Sequence, residues 1–399
     1  MTPASSAGRY ARTALALSSL VLVGCDDKDL TNLDREPPVV AITSPAADDF
    51  VSGVSFIVDI DATDDSEVAF VEVDVNGVRS SIDTTEPYRV LIFSIASQPD
   101  DPMLVTARAF DTSGNSSSES ITVTVSDRTV TRLTDWPNDD MNPSWSPDGT
   151  AIVFQSRRPE GHFDIWTMAE DGSNLTRLTS NTNEDRNPAW SPSGDMIAFD
   201  SNRAGSYDIW TLPLAGGEAE ADSLTFGNLD NIEPAWTPDA SMLYFASNRG
   251  DNAPFNIWSV PSGGGVQTQV TSFLEPDTSP AVSPDGLFLA FASSLNFESA
   301  RIYTMLIGSE EVTPLTGNDL GFAEQDPFWA PTSNALIYNR ISGSTRSNVW
   351  GVPLEGGAPT QVTFGSSTFG DGGAVFSPDA SRIAFHSDRD GNLEIYVLE

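Results

Sequence analysis

The sequence restates itself. The stretch NPSWSPDGTAIVF, which begins at Asn142, returns as NPAWSPSGDMIAF at Asn187, EPAWTPDASMLYF at Glu233 and SPAVSPDGLFLAF at Ser279. Aligned on the aromatic of Pro-x-Trp, the units fall on Trp145, Trp190, Trp236, Val282, Trp329 and Phe376, at spacings of 45, 46, 46, 47 and 47 residues. A fixed period in this range marks an array in which each unit leaves an apolar face that only its neighbour covers. The first unit parses into four short strands, NPSWS, AIVFQS, FDIWTMA and LTRLT, with turn residues in PDGT and EDGSN and no helical period. Six four-stranded units imply a β-propeller with one sheet per blade. The last unit reaches Glu399 after three strands, while VTRLT, Val130–Thr134, precedes the first full unit. Pairing that stretch onto the last blade closes the ring with chain from both ends and protects the sheet edges.

Residues 38–127 have a different character. PVVAIT, VSFIVDIDA, AFVEVDVNG, YRVLIFSI, LVTARAFD and SITVTVS alternate apolar and polar residues, with turn signals such as Asn76-Gly77 between them. This predicts an antiparallel sandwich of about seven strands. ITSPAADDFVSG, DTTEPYRV and ARAFDTSGNSSS resemble bacterial immunoglobulin-like domains, and the resemblance implies a spacer or adhesion module. Calcium prefers several oxygen ligands, and DIDATDDSE, Asp59–Glu67, is dense in them. No glycine stands at the calcium-loop spacing, however, and strand alternation alone puts Asp59 and Asp61 on one outward face. The expected fold class is therefore all-β, an immunoglobulin-like sandwich followed by a six-bladed propeller closed by its own N-terminal strand.

The N-terminus reads as an address. Arg9 and Arg12 precede TALALSSLVLVG, an apolar stretch too short for a permanent span. It runs into LVGC, Leu22–Cys25, which resembles the lipobox of bacterial lipoproteins. The resemblance implies cleavage before Cys25, lipidation of Cys25 and attachment to the bilayer through its acyl chains, and it accounts for the chain's single cysteine. The expected organisation is a signal peptide at 1–24, a polar tether at 25–37, the sandwich at 38–127 and the propeller at 128–399. Asp26 after the cysteine resembles an inner-membrane retention signal, but the rule varies among bacteria. The expected location is the inner or outer membrane, with the domains facing the periplasm or the cell surface.

WSPDG, the SNR after the second strand and DIW in the third resemble the propeller of TolB and its relatives, over residues 129–399. TolB is a periplasmic partner of the Pal lipoprotein in the cell-envelope Tol system. The resemblance implies a non-catalytic protein-binding scaffold. The chain departs from the TolB plan by placing a sandwich where TolB has an α/β domain, and by its expected lipid anchor.

Composition narrows the partner. The formal net charge is −37 and Lys28 is the only lysine. Such a surface repels nucleic acid and anionic headgroups, so no nucleic-acid partner is expected. Acidity also serves solubility alone. Only His162 and His386 are present, no G-x-S-x-G occurs, and neither a Ser–His–Asp site nor a histidine metal centre is expected. Carboxylate-pair glycoside chemistry stays open, and its mark would be an isolated acid pair in the channel without equivalents in other blades.

Three repeated positions carry chemistry. Trp166, Trp210, Trp258, Tyr303, Trp350 and Tyr396 recur in the third strand and are expected to pack between blades. Arg158, Arg203, Arg249 and Arg389 recur with Asp164, Asp208, Asn256 and Glu394, and both columns change in units four and five. The covariation predicts a bridge across the hairpin between them. Three residues before the Pro-x-Trp proline stand Asp140, Asp185, Asn231, Asp277 and Glu324, with Asp371 equivalent in the last unit. Ring symmetry is expected to set these six around the channel mouth, on the face of the second-to-third-strand loops. There they either fix local turns or bind a counter-charge: an envelope protein, a basic peptide segment, or a divalent cation such as calcium. No cofactor is otherwise expected, and the metal and oligomeric state are left open. The rival reading is a surface glycan-binding or adhesion lipoprotein; a propeller hydrolase or lyase ranks third.

Overall fold

The computed structural model describes residues 34–399, apart from 159–160, 250–253, 296–297, 318–320, 343–345 and 366–367. The signal segment and Cys25 lie outside the described residues. Residues 36–399 make one compact unit of two β domains.

The sandwich has a three-stranded sheet in the order Val39–Ser44, Ser55–Thr63, Tyr88–Phe93. Facing it is a five-stranded sheet in the order Phe50–Val51, Ser116–Val125, Pro102–Asp111, Val68–Val75, Val78–Asp83. The strand beyond the expected seven is the two-residue Phe50–Val51, which pairs parallel to Ser116–Val125. Inward residues of both sheets, among them Val58, Val71, Val90, Val105 and Val123, form the core. Asn76 and Gly77 both have positive φ (51° and 78°), as a two-residue hairpin turn requires. In the acidic stretch, Asp59 accepts from Arg89 Nε at 2.7 Å, and Asp64 accepts from the Ser66 amide at 2.9 Å.

The propeller has six four-stranded antiparallel blades. Blade 1 is Asp140–Trp145, Ala151–Ser156, Asp164–Ala169 and Thr176–Arg177, and the next four repeat this plan. Blade 6 is Asp371–Phe376, Ile383–Ser387, Glu394–Leu398 and then Val130–Arg132, the strand from the other end of the ring. A second-strand aromatic fills the middle of every blade: Phe154, Phe199, Phe245, Phe291, Tyr338 and Phe385 are all inaccessible to solvent. The threonine two residues beyond each fourth strand makes a clip. The hydroxyls of Thr134, Thr179, Thr225, Thr271, Thr316 and Thr363 accept from third-strand amides at 2.8–3.1 Å. The closing blade thus makes the same bond as the continuous ones.

The sandwich is seated on blades 5 and 6. Val54, Ile57, Leu91, Phe93 and Ile95 share one apolar cluster with Ala335, Ile337, Val349, Val362 and Ile383. Val90–Phe93 is therefore covered on both faces, which explains its unbroken apolar run VLIF. Ser52 and Ser55 hydroxyls donate to the Ser381 and Ala380 carbonyls at 2.9 and 2.6 Å. Gly351 permits the contact, because a Cβ there would lie 2.5 Å from the Phe93 ring. Gly351→Val is expected to lower stability by about 1–3 kcal/mol. Calorimetry should show the loss as a lower or split transition, with Gly351→Ala intermediate.

Candidate functional site

The six first-strand acid and amide positions lie at the ends of the inner strands, but they do not form an open ring. Asp140, Asp185, Asp277, Glu324 and Asp371 are fully buried and Asn231 is 2% exposed. The pairing Asp140↔Ser156 and its equivalents set each one beside the end of the second strand. The arginine that follows turns back onto it. Arg203 donates to Asp185 at 2.8 Å, Arg249 to Asn231 at 2.9 Å and Arg389 to Asp371 at 2.8 Å, and Arg158 donates to Asp140. In blade 5, Arg340, two residues earlier in its strand, reaches the longer Glu324 at 2.8 Å. The guanidinium lies over the third-strand aromatic: Trp210 at 4.9 Å, Trp258 at 5.1 Å, Trp350 at 4.6 Å and Tyr396 at 4.7 Å.

The expected bridge from these arginines to the third-strand acids is thus corrected. Those acids turn to the fourth strand instead. Asp164 pairs with Arg177 at 2.7 Å, Glu394 with Arg132 at 2.9 Å, and Asp208 accepts from Thr225 at 3.0 Å. The third-strand aromatics pack among blades as expected, Trp166 with Trp145 and Val375 and Trp210 with Val153. They also carry the arginines.

Blade 4 breaks the pattern. Asp277 forms no ion pair among the described residues, and burial raises its pKa to about 6. Asp185→Asn leaves Arg203 only its longer contact with Glu218 at 3.6 Å and is expected to cost about 3 kcal/mol. Asp277→Asn removes only an uncompensated charge and is expected to stay within about 1 kcal/mol of the parent. Urea unfolding of the two variants checks the contrast.

The channel is lined by a different set of side chains. Each inner strand carries a β-bulge two residues after its acid, marked by a register shift against the second strand. The bulge residues are Asn142, Asn187, Glu233, Ser279, Asp326 and Gly373, all with φ between 50° and 59°. This left-handed conformation takes the residue out of the ladder and turns it to the axis. They edge a cavity of about 760 Å³. Towards the first-to-second-strand turns, the same cavity is edged by Pro147, Pro192, Pro238, Pro284, Pro331 and Pro378.

Hydrogen bonds run round this belt from blade to blade. Asn142 donates to Asn187 (2.6 Å), Asn187 to Asp200 (2.8 Å), the Ser279 amide to Glu233 (2.7 Å) and the Ser279 hydroxyl to Asp326 (2.9 Å). Asp200, on the second strand of blade 2, also accepts from the Glu233 amide at 3.0 Å. Burial raises Asp200 and Glu233 to about 7, the Asp326 charge adding to the effect on Glu233. Burial lowers His386 to about 4, and its ring lies against Gly372 and Gly373 in the space where their side chains would be.

None of these channel residues was singled out from the sequence as a ligand group. The available signal was the residue before the Pro-x-Trp proline, which is Asn, Asn, Glu, Ser or Asp in the first five units. Of these acids, Glu233 and Asp326 edge the channel without acid counterparts in the other blades, the isolated pair posed as the mark of an enzyme, while Asp200 lies buried behind them. Folding retains protons on Asp200 and Glu233 at a pH where the unfolded chain has lost them. Their contribution therefore weakens stability as pH rises from about 4 to about 7. Glu233→Gln should flatten that part of the stability–pH curve relative to the parent, read by urea unfolding at stepped pH.

Large apolar side chains outside the repeated columns reach the surface. Trp136 is 41% exposed, Phe226 78%, Leu274 89% and Phe364 65%. All stand in connections from a fourth strand to the next inner strand. Strand alternation puts these connections on the face where the inner strands begin.

A closed six-bladed propeller with a docked immunoglobulin-like sandwich defines the class. Residues 185–366 match the TolB beta propeller domain and residues 38–123 the bacterial Ig domain. The chain is a TolB-like propeller repeat protein with an N-terminal bacterial Ig-like domain. A putative TolB from Agrobacterium tumefaciens is 20% identical, with a TM-score of 0.54 over 68% of this chain and 96% of that one. An oligogalacturonate lyase in complex with manganese is 16% identical (TM-score 0.50, 75% and 97%). A gluconolactonase from Xanthomonas campestris is 15% identical (TM-score 0.50, 68% and 89%). At these identities the likeness is one of fold. No helix among the described residues is long and apolar enough to cross a membrane.

Proposed function

We propose that this chain is a non-catalytic, lipid-anchored envelope protein whose propeller docks a protein partner on the face where the inner strands begin. The observation that carries this reading is the set of exposed apolar side chains there, Trp136, Phe226, Leu274 and Phe364, set on a strongly acidic chain. Exposed apolar side chains of this size on one face offer area for a partner to bury. Asp140, Asp185, Asn231, Asp277, Glu324 and Asp371 serve this face from below. All but Asp277 hold an arginine of the second strand or of the loop after it in place, so neutralising them acts through the order of that hairpin. The anchor is Cys25, and the partner is an envelope protein or a basic peptide segment.

The test is crosslinking capture from native envelope, with identification by mass spectrometry. Phe226→Ser/Leu274→Ser/Phe364→Ser is expected to fold and to lose most capture of the dominant partner. Undiminished capture overturns the docking face. A second reading, glycan cleavage by the channel carboxylates, is favoured by Glu233 and Asp326, which have no counterparts in blades 1, 2, 4 and 6. Turnover of an oligosaccharide panel, abolished by Glu233→Gln, would establish it in place of the scaffold.

A further inference from the structure

The acids of the propeller fall into two populations. Five of the six inner-strand ends meet an arginine. In contrast, Asp200, Glu233 and Asp326 form no ion pair among the described residues. Arg186, whose charge reaches Asp200, is itself paired with Glu184 at 3.1 Å. The wall between blades 3 and 5 therefore presents acceptors with no cation of its own.

An independent feature marks the same place. Asn339, 3% exposed and on the channel wall, donates from Nδ2 to Asp326 at 2.8 Å. Its carbonyl Oδ1 has no partner. A buried acceptor left open costs about 1–3 kcal/mol unless something donates to it. His386 adds no positive charge, since its ring stays neutral down to about pH 4.

The donors required are spread out. Among the described residues, no three carboxylate or imidazole ligand atoms of the channel lie within 4.8 Å of one another. A bare divalent ion needs its oxygens gathered tightly, whereas a guanidinium or ammonium group donates in several directions over a longer reach. The cavity of about 760 Å³ is edged by six prolines and by Trp145, Trp190, Trp236 and Trp329, a wall suited to an aliphatic stem.

We propose that this channel receives a lysine or arginine side chain, carried on an apolar-flanked peptide segment of the docking partner, between Glu233, Asp326 and the Asn339 carbonyl. The identity of the partner as a protein rests on the reading above; the residues engaged are different ones.

The test is selection from a random heptapeptide display library against the full chain in detergent. Sequences with a central lysine or arginine among apolar residues are expected to be enriched, and Lys→norleucine in a selected peptide should weaken binding roughly tenfold or more. Glu233→Gln/Asp326→Asn should lose the enrichment, with its melting temperature checked separately. Ser279→Lys offers a second variant that keeps the acids. It sets a tethered ammonium beside Glu233 and Asp326, and should raise the melting temperature while blocking peptide selection.

Enrichment that ignores charge, or that survives in both variants, overturns the proposal. So does saturable binding of calcium or manganese chloride lost in the double variant without any basic-peptide selection. Partner capture that persists in the channel variants, with no basic enrichment, leaves the docking face standing and removes this inference. Basic enrichment that coexists with undiminished capture by the Phe226, Leu274 and Phe364 variant does the reverse.

Discussion

A ring of six antiparallel sheets exists only if its first and last segments meet. Val130–Arg132 pairs along Glu394–Leu398, and the Thr134 hydroxyl accepts from the Ile395 amide across 261 residues of sequence. Bringing such distant segments together costs entropy that grows only logarithmically with length. What offsets it is cooperative, because every blade is covered on both faces once the seam is made. Arg132 reinforces the seam through Glu394 at 2.9 Å. The sandwich adds to it, since its three-stranded sheet packs on blades 5 and 6, and Arg128, two residues before the closing strand, donates to the Ser97 carbonyl at 3.0 Å. The small domain is part of the clasp rather than a free spacer.

Repetition and departure from it have different meanings in this chain. Whatever recurs in all six blades, such as the threonine clip and the second-strand aromatic, builds the ring. The arginine–carboxylate–aromatic stack recurs in four blades and, with Asn231 as acceptor, a fifth, and it belongs to the same class. The chemistry that the repeated plan does not require lies in the departures: Asp277 without an arginine, Gly372 and Gly373 making room for His386, and the carboxylates at Glu233, Asp326 and Asp200. A symmetric scaffold gives every such departure a defined place in the ring.

Much of this architecture was legible in the residues. The 45–47-residue spacing gave six blades, and the surplus VTRLT gave the seam. Covariation correctly flagged Arg158, Arg203, Arg249 and Arg389 as working residues but misassigned their partners. Two columns that change together share an environment, and only the register Asp140↔Ser156 shows which carboxylate lies in reach. The burial of the inner-strand acids was missed for a related reason: in a propeller, strand ends pack inward against neighbouring blades as readily as they face the axis. Phe226 and Phe364 follow a buried-looking LT or VT, and nothing local in the chain distinguishes them from core aromatics. Cys25 remains outside the described residues.

The bulge has a consequence for how such a protein diversifies. A residue at φ near +50° has left the hydrogen-bonded ladder, so its side chain bears no load in the sheet. Six such positions, one per blade, face one void. Each is free to be an amide, an acid, a hydroxyl or glycine, as Asn142, Glu233, Ser279, Asp326 and Gly373 already are. The propeller thus separates the part of its sequence that holds shape from the part that writes its interior, and new specificities are reachable by single codon changes without re-solving the fold.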